Sequence, residues 1–192
     1  EPYTNRFRND EVKIEQGRKM INAEQDDSLL LKLQAGIHSS MLLDVIKNPL
    51  LFLTQEFEDY YNFEFSDIIY FKNSLVYVIQ FSQKEFIKRS LYQGHIYINI
   101  DDLAILAVDF ELNPKYIRNE AASFFVKKSP KIRMIPTEAK YHTEYRKTDG
   151  KYHLSMVRGE VSFRIRKKRQ WFSSRFKVAI EMAITNVYPG VK

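Results

Sequence analysis

The sequence predicts an α+β protein: a curved antiparallel β-sheet of about eight strands, an open half-barrel, packed with one long helix. Three observations lead there. Between Ser28 and Lys47 the apolar residues recur at helical spacings. From Asn62 onward the period changes to two, with β-branched and aromatic residues dense throughout. Turn signals separate these segments, and they suit consecutive hairpins rather than βαβ units.

Residues 1–22 are polar, with a brief alternation at Val12 and Ile14, and read as a connector or edge strand. Residues 23–192 form a single domain. Its helix carries Leu29, Leu33, Ile37, Met41 and Val45 on one stripe, flanked by Leu30, Leu42, Leu43 and Ile46. Asp26, Asp27 or Ser28 supplies the cap, and Pro49 biases Asn48 out of the helical region. Residues 50–60 form either a short helix with Leu50, Leu53 and Phe57 inward or a packed loop.

Strands are predicted over Asn62–Phe71, Leu75–Ser82, Leu91–Ile100, Leu103–Leu112, Lys131–Ile135, Ala139–Arg146, Lys151–Ile165 and Trp171–Val187. Lys72-Asn73, Asp101-Asp102, Asp149-Gly150 and Lys167-Lys168-Arg169-Gln170 make the turns. A two-residue turn at Asp101-Asp102 places Ile96, Ile98 and Ile100 with Leu103, Ile105 and Ala107, and Tyr97 and Asn99 with Leu106, Val108 and Phe110. Both faces are apolar there, so the middle of the sheet is expected to be covered on both sides. Around Asp149-Gly150, Thr143, Tyr145, Tyr152, Leu154 and Met156 share one face, against His142, Glu144, Arg146, His153 and Ser155. The last hairpin joins Val161, Phe163 and Ile165 to Phe172, Phe176, Val178 and Ile180.

With 192 residues, 44% hydrophobic and 28% charged, the chain is long and apolar enough for a real core and is not intrinsically disordered. It has no cysteine, which excludes disulfides, thiolate nucleophiles and cysteine-ligated metal sites. No run approaches 18 apolar residues, so no membrane-spanning helix is expected. The net charge of +6 is segregated: residues 114–177 carry 18 Lys and Arg against 5 Asp and Glu, which makes the remainder acidic.

Enzyme motifs are scarce, and the chain reads as non-enzymatic with no cofactor. Its six glycines are too scattered for a phosphate-cradling loop. His142 and His153, with Glu144, share a strand face, where a polar ladder is the plain reading and a metal site or hydrolase centre the sharp one. Tyr77, Tyr97, Tyr145 and Tyr152 sit on strands, where an apolar ring with a polar tip suits the wall of a ligand groove; ordinary core packing is the alternative. Arg164, Arg166, Lys167, Lys168, Arg169, Arg175 and Lys177, with Trp171 among them, form a basic patch. It serves as a solvated hairpin tip guarding an edge, or as a contact for anionic lipid headgroups or an anionic glycan; nucleic-acid signatures are missing.

The stretch Leu91-Tyr92-Gln93-Gly94-His95-Ile96-Tyr97-Ile98-Asn99-Ile100-Asp101-Asp102-Leu103-Ala104-Ile105 resembles the Y-x-G-x-I-Y-I-D-x-x-x-x-A-I hairpin of carboxypeptidase-like regulatory-domain-containing proteins of bacterial envelopes. Leu43 to Pro49 with Phe52, Tyr77 to Phe81, Ala139 to Tyr141 with Tyr145-Arg146, and Trp171-Phe172 before Glu181 to Thr185 follow in the same order. Asn99 stands where that hairpin has Asp. The resemblance, over about residues 28–187, implies an exported protein of the periplasm or outer membrane, with an immunoglobulin-like sandwich ahead of this region; the opening residues read as containing no signal peptide, either never there or removed. It implies no peptidase activity. The sheet-plus-helix plan is also similar, at the level of fold, to the LolA-like half-barrel of periplasmic lipoprotein carriers.

Two functions follow as expectations. The first is a non-enzymatic cell-envelope protein that binds a lipid or other apolar ligand on its concave sheet face, with an anionic membrane surface at the basic tip. The alternative is a structural or protein-interaction module of an outer-membrane or surface assembly, meeting an envelope protein partner.

Overall fold

The computed structural model describes residues 13, 15–17, 40–120, 132–167 and 172–188, of Leu51 and Lys167 the backbone alone. Seven strands form one open sheet in chain order: β1 (Tyr61–Phe71), β2 (Ser74–Gln83), β3 (Tyr92–Asn99), β4 (Ile105–Leu112), β5 (Ile132–Thr148), β6 (Lys151–Lys167) and β7 (Ser174–Ala183). Every neighbouring pair is antiparallel, and β1 and β7 stand at the two ends. The predicted meander is therefore present as an open sheet that does not close.

The turns follow from their chemistry. Lys72, after β1, adopts φ 54°, and Asp149 and Gly150 both adopt positive φ, as a tight two-residue hairpin requires. The loop after β3 is less comfortable. Leu103 adopts φ 55°, a left-handed conformation that costs a branched side chain free energy.

Two expectations are corrected. The long helix is not supported: residues 28–39 lie outside the described residues, and beyond Ser40 and Met41 the chain goes into turns. Asp44 Oδ1 accepts the N–H groups of Ile46 and Lys47 at 3.2 and 3.3 Å. The Asn48 amide reaches Met41 O. Such side chains compete with the helical ladder and stop it. Two 3-10 turns, Leu51–Leu53 and Gln55–Tyr60, follow, and Phe52 is the buried residue there, with Leu50, Leu53 and Phe57 packed around it.

The strand count is also lower, because the two segments predicted at 131–135 and 139–146 are one strand, β5. Pro136 removes a ladder donor, but the extra residue Thr137 accommodates it as a bulge. Further single-residue shifts occur at Ser66, Leu106 and Ser155. The Leu106 shift pairs Ile96 with Val108 and Tyr97 with Ala107, so the predicted face assignment holds for Ile98 with Ile105 and for Tyr97 with Leu106, whereas Val108 and Phe110 turn to the side of Ile96 and Ala107 to the side of Tyr97. The Ser155 shift moves Met156 opposite Glu144, away from Tyr145 and Leu154. In the last hairpin Val161, Phe163 and Ile165 share a face with Phe176, Val178 and Ile180 as predicted, through the pairs Val161 with Val178 and Phe163 with Phe176, whereas Phe172 lies outside the strand and is exposed.

The inner face of the sheet carries the main core. Phe81, Ile96, Val108, Phe110, Tyr145, Leu154 and Val157 meet Met41, Val45 and Phe52 of the preceding segment. Phe52 is its centre, with ring contacts to Tyr61, Phe81, Tyr92 and Phe110. The outer face holds a smaller cluster of Val76, Val78 and Leu106, covered by Ile69, Phe71 and Tyr97 rather than by another layer among the described residues. Of the predicted connector, residues 13 and 15–17 are irregular, and Glu15 accepts a bond from the Thr185 hydroxyl. Among the described residues no helix is long and apolar enough to cross a membrane.

Candidate functional site

The four tyrosines singled out from the sequence do not share one surface. Tyr77 pairs with Ile98 and Tyr97 with Val78, so the two face opposite sides. Tyr145 is on the inner face, where its hydroxyl donates to Asp44 Oδ1 at 2.9 Å. Burial, and then the Asp44 carboxylate, push that phenol far above its ordinary range. Tyr97 donates to Asp109 Oδ2 at 2.9 Å on the outer face, and burial with this bond raises it to about 12. Tyr152 donates to Asp102 Oδ2 at 2.9 Å and ties the β3–β4 loop to β6. Three hydroxyls are thus occupied by carboxylates of the chain itself. Tyr77 meets the edge of the Phe65 ring at 6.3 Å.

The outer face assembles a polar row that links β3, β4 and β5 to the β1–β2 turn. His142 on β5 holds Asp109 of β4 through Nδ1 at 2.6 Å and Glu144 through Nε2 at 3.0 Å. The Lys72 ammonium, in the β1–β2 turn, closes on the other oxygen of Glu144. The bond to Asp109 raises the His142 pKa against its partial burial, and the bond to Glu144 adds to it. Burial works upward on Asp109 and Glu144, yet both lie below the usual carboxylate range. His142 and Tyr97 prevail at Asp109, and Lys72 and His142 prevail at Glu144.

Because each ring nitrogen of His142 already meets a carboxylate, the imidazole has no free lone pair for a metal or a substrate proton. Among the described residues no group of three His, Asp or Glu side chains is placed to hold a metal. His153 does not join the row: it pairs with Arg146, while Arg158 faces His142. Five residues of strand separate His153 from that position, or about 16 Å.

Beside this row lies an open depression of about 370 Å³ whose polar lining includes Gln80, His95, Asp109, Glu111 and Lys140. Its carboxylates are engaged, Asp109 with His142 and Tyr97, and Glu111 with the Gln93 amide at 2.9 Å. Gly94 forms part of the lining because the strands are too close for any side chain: a Cβ there would overlap the backbone oxygen of Asp109.

Of the basic patch, Arg164, Arg166, Arg175 and Lys177 are exposed on β6 and β7. Arg164 lies across from Arg175, and Arg166 across from Arg133, so like charges stand side by side. Lys177 meets Glu160 at 2.6 Å. Lys167 ends β6, and Lys168, Arg169 and Trp171 lie outside the described residues.

The feature not singled out from the sequence is edge strand β1. Phe63, Phe65, Ile68 and Tyr70 pair with Phe81, Ile79, Tyr77 and Leu75, so all lie on the inner-face side. They extend beyond the cover of residues 41–57, with Phe65 61% and Tyr70 75% exposed. The signal was available, since the first strand of a meander is an edge, and this one alternates aromatic residues with Glu64. No family model, curated protein or solved structure matches the chain.

Proposed function

We propose that this chain is a non-enzymatic cell-envelope module that meets protein partners through the edge of its sheet. The observation that carries the reading is the row Phe63, Phe65, Ile68 and Tyr70, exposed on a strand that is paired on one side only among the described residues. A strand of this kind offers backbone donors and acceptors together with apolar pockets for an added strand. Over the middle of the sheet the inner face is filled by the chain's own Met41, Val45 and Phe52, which leaves the added strand the better account than a ligand enclosed there. The envelope setting follows the resemblance of the hairpin residues.

Binding of a lipid or other apolar ligand is the second reading, favoured by the same exposed aromatic residues. Native mass spectrometry of the chain purified from an envelope fraction, then offered mixed phospholipid micelles, separates the two. The module reading expects the polypeptide mass, or whole multiples of it, with nothing added before or after. A stoichiometric acyl-containing molecule that survives gentle activation would overturn it in favour of the ligand reading.

A further inference from the structure

The two edges of this sheet are unlike, and they are complementary. On β1, Glu64 and Asp67 project on the outer-face side, and Phe63, Phe65, Ile68 and Tyr70 on the inner-face side. Pairing with β6 puts Arg175 and Lys177 of β7 on the outer-face side, and Phe176, Val178, Ile180 and Met182 on the inner-face side. Both strands alternate apolar with charged residues over a similar length; the outer-face charges of β1 are both acidic, whereas β7 carries Arg175 and Lys177, the latter also held by Glu160, with Glu181 further along.

The geometry points to a second copy of this chain as the partner of β1, its β7 lying against β1 so that the sheet continues from one molecule into the next. This inference rests on the reading of β1 as a docking edge and names its occupant. In an antiparallel meander of seven strands the first and last run in the same direction. Two copies facing the same way therefore join β7 to β1 as a parallel pair, keeping inner face beside inner face. With the Ser66 bulge counted, the register that sets Phe65 beside Phe176 also sets Glu64 beside Arg175 and Asp67 beside Lys177. Ile68 then lies beside Val178, and Tyr70 beside Ile180.

The alternatives are poorer. A β1 with β1 pair brings Glu64 and Asp67 against an equally acidic strand, and a β7 with β7 pair, which can set Arg175 beside Glu181, leaves the exposed row of β1 uncovered. Arg175 already sits across from Arg164, and no strand pairs with its other side among the described residues, so an acid there relieves a crowd of like charge. A contact between two different edges leaves one of each free at the ends, so it does not close at two copies.

Sedimentation velocity on the full chain tests this across a wide concentration range at low and high salt. The expected result is a weight-average mass that keeps rising with concentration, past about twofold, and falls back when salt screens the edge charges. Glu64→Lys with Asp67→Lys gives a chain with two basic edges, and Arg175→Glu with Lys177→Glu one with two acidic edges. Each alone stays monomeric, and mixing them restores assembly. Should either fail to fold, amide exchange on the unmodified chain serves instead, with β1 and β7 gaining protection together as concentration rises. A constant monomer mass, a dimer indifferent to the β7 substitutions, or edge exchange independent of concentration overturns the inference. A monomer that also takes up no lipid leaves the docking-edge reading standing with a different partner.

Discussion

Phe52 lies flat on Phe81, the ring centroids 4.1 Å apart and the planes 20° from parallel. Both rings are almost fully buried, and through this contact the irregular segment before β1 is anchored to the sheet. Phe52→Ala removes the centre of an aromatic cluster that backbone turns on both sides hold in place. The expected loss is about 3–5 kcal/mol, read from the urea unfolding midpoint. A loss below about 1 kcal/mol would mean that the segment does not pack as described.

Asp44 is 1% exposed, and Tyr145 is the side chain that donates to it. Tyr145→Phe keeps the ring and withdraws that donor, leaving the backbone N–H groups of Ile46 and Lys47. Stability should fall by about 1–3 kcal/mol in chemical denaturation, and adding Asp44→Asn to the Tyr145→Phe variant should recover part of the loss. No recovery in the double variant would contradict the coupling.

Gly94 faces Phe110 across a ladder so tight that a Cβ would overlap Asp109 O and stand 2.8 Å from Phe110 Cα. The neighbours are backbone, which cannot swing away. Gly94→Ala is expected to cost about 3 kcal/mol and to broaden the amide resonances of β3 and β4 before those of β6 and β7. A neutral substitution would show that the strands lie farther apart.

Leu103 offers the opposite case, a residue whose replacement stabilises. It is 69% exposed and adopts φ 55°, so its side chain contributes little contact while its backbone is strained. Leu103→Gly or Leu103→Asn should raise stability by about 0.5–1 kcal/mol, seen as a higher melting temperature.

His142 makes stability depend on pH in a definite direction. Held by Asp109 first and Glu144 second, its raised pKa means that its contribution is complete below the ordinary imidazole value of about 6.5 and is lost as pH rises through the folded value. The lowered Asp109 and Glu144 contribute fully above about pH 4.5 and lose this as pH falls through their folded values. The cluster therefore stabilises most between roughly pH 4.5 and 6.5. His142→Gln should flatten the decline in melting temperature above that window, and an unchanged profile would remove His142 as its cause.

The sheet was legible because strand signals are local. Alternation from Asn62 onward and Asp149-Gly150 identify strands and turns without knowledge of the rest of the fold. Bulges were not, since an extra Leu106 or Ser155 leaves no mark in a hydrophobic pattern yet turns every later residue over. That slip hid the outer-face row: His142 and Glu144 were grouped by their two-residue spacing, while Asp109 and Lys72 join them only in the actual register. The helical stripe correctly turns Met41 and Val45 inward but overextends the helix, because Asp44 and Asn48 bond locally to the backbone. The four tyrosines are all on or beside packed surfaces, but alternation along one strand cannot say how separate strands face each other.

Because each strand pairs only with its neighbour in sequence, the sheet forms from contacts that close early and cheaply, hairpin upon hairpin. The bond from Tyr145 to Asp44 spans 101 residues and belongs to a different stage. In a chain growing from its amino end, Met41, Val45 and Phe52 emerge well before Tyr145, Leu154 and Val157, the residues that complete their cover. The first part of this core to be synthesised is the last to be sealed, and it spends the interval as an exposed apolar segment that needs protection during biogenesis.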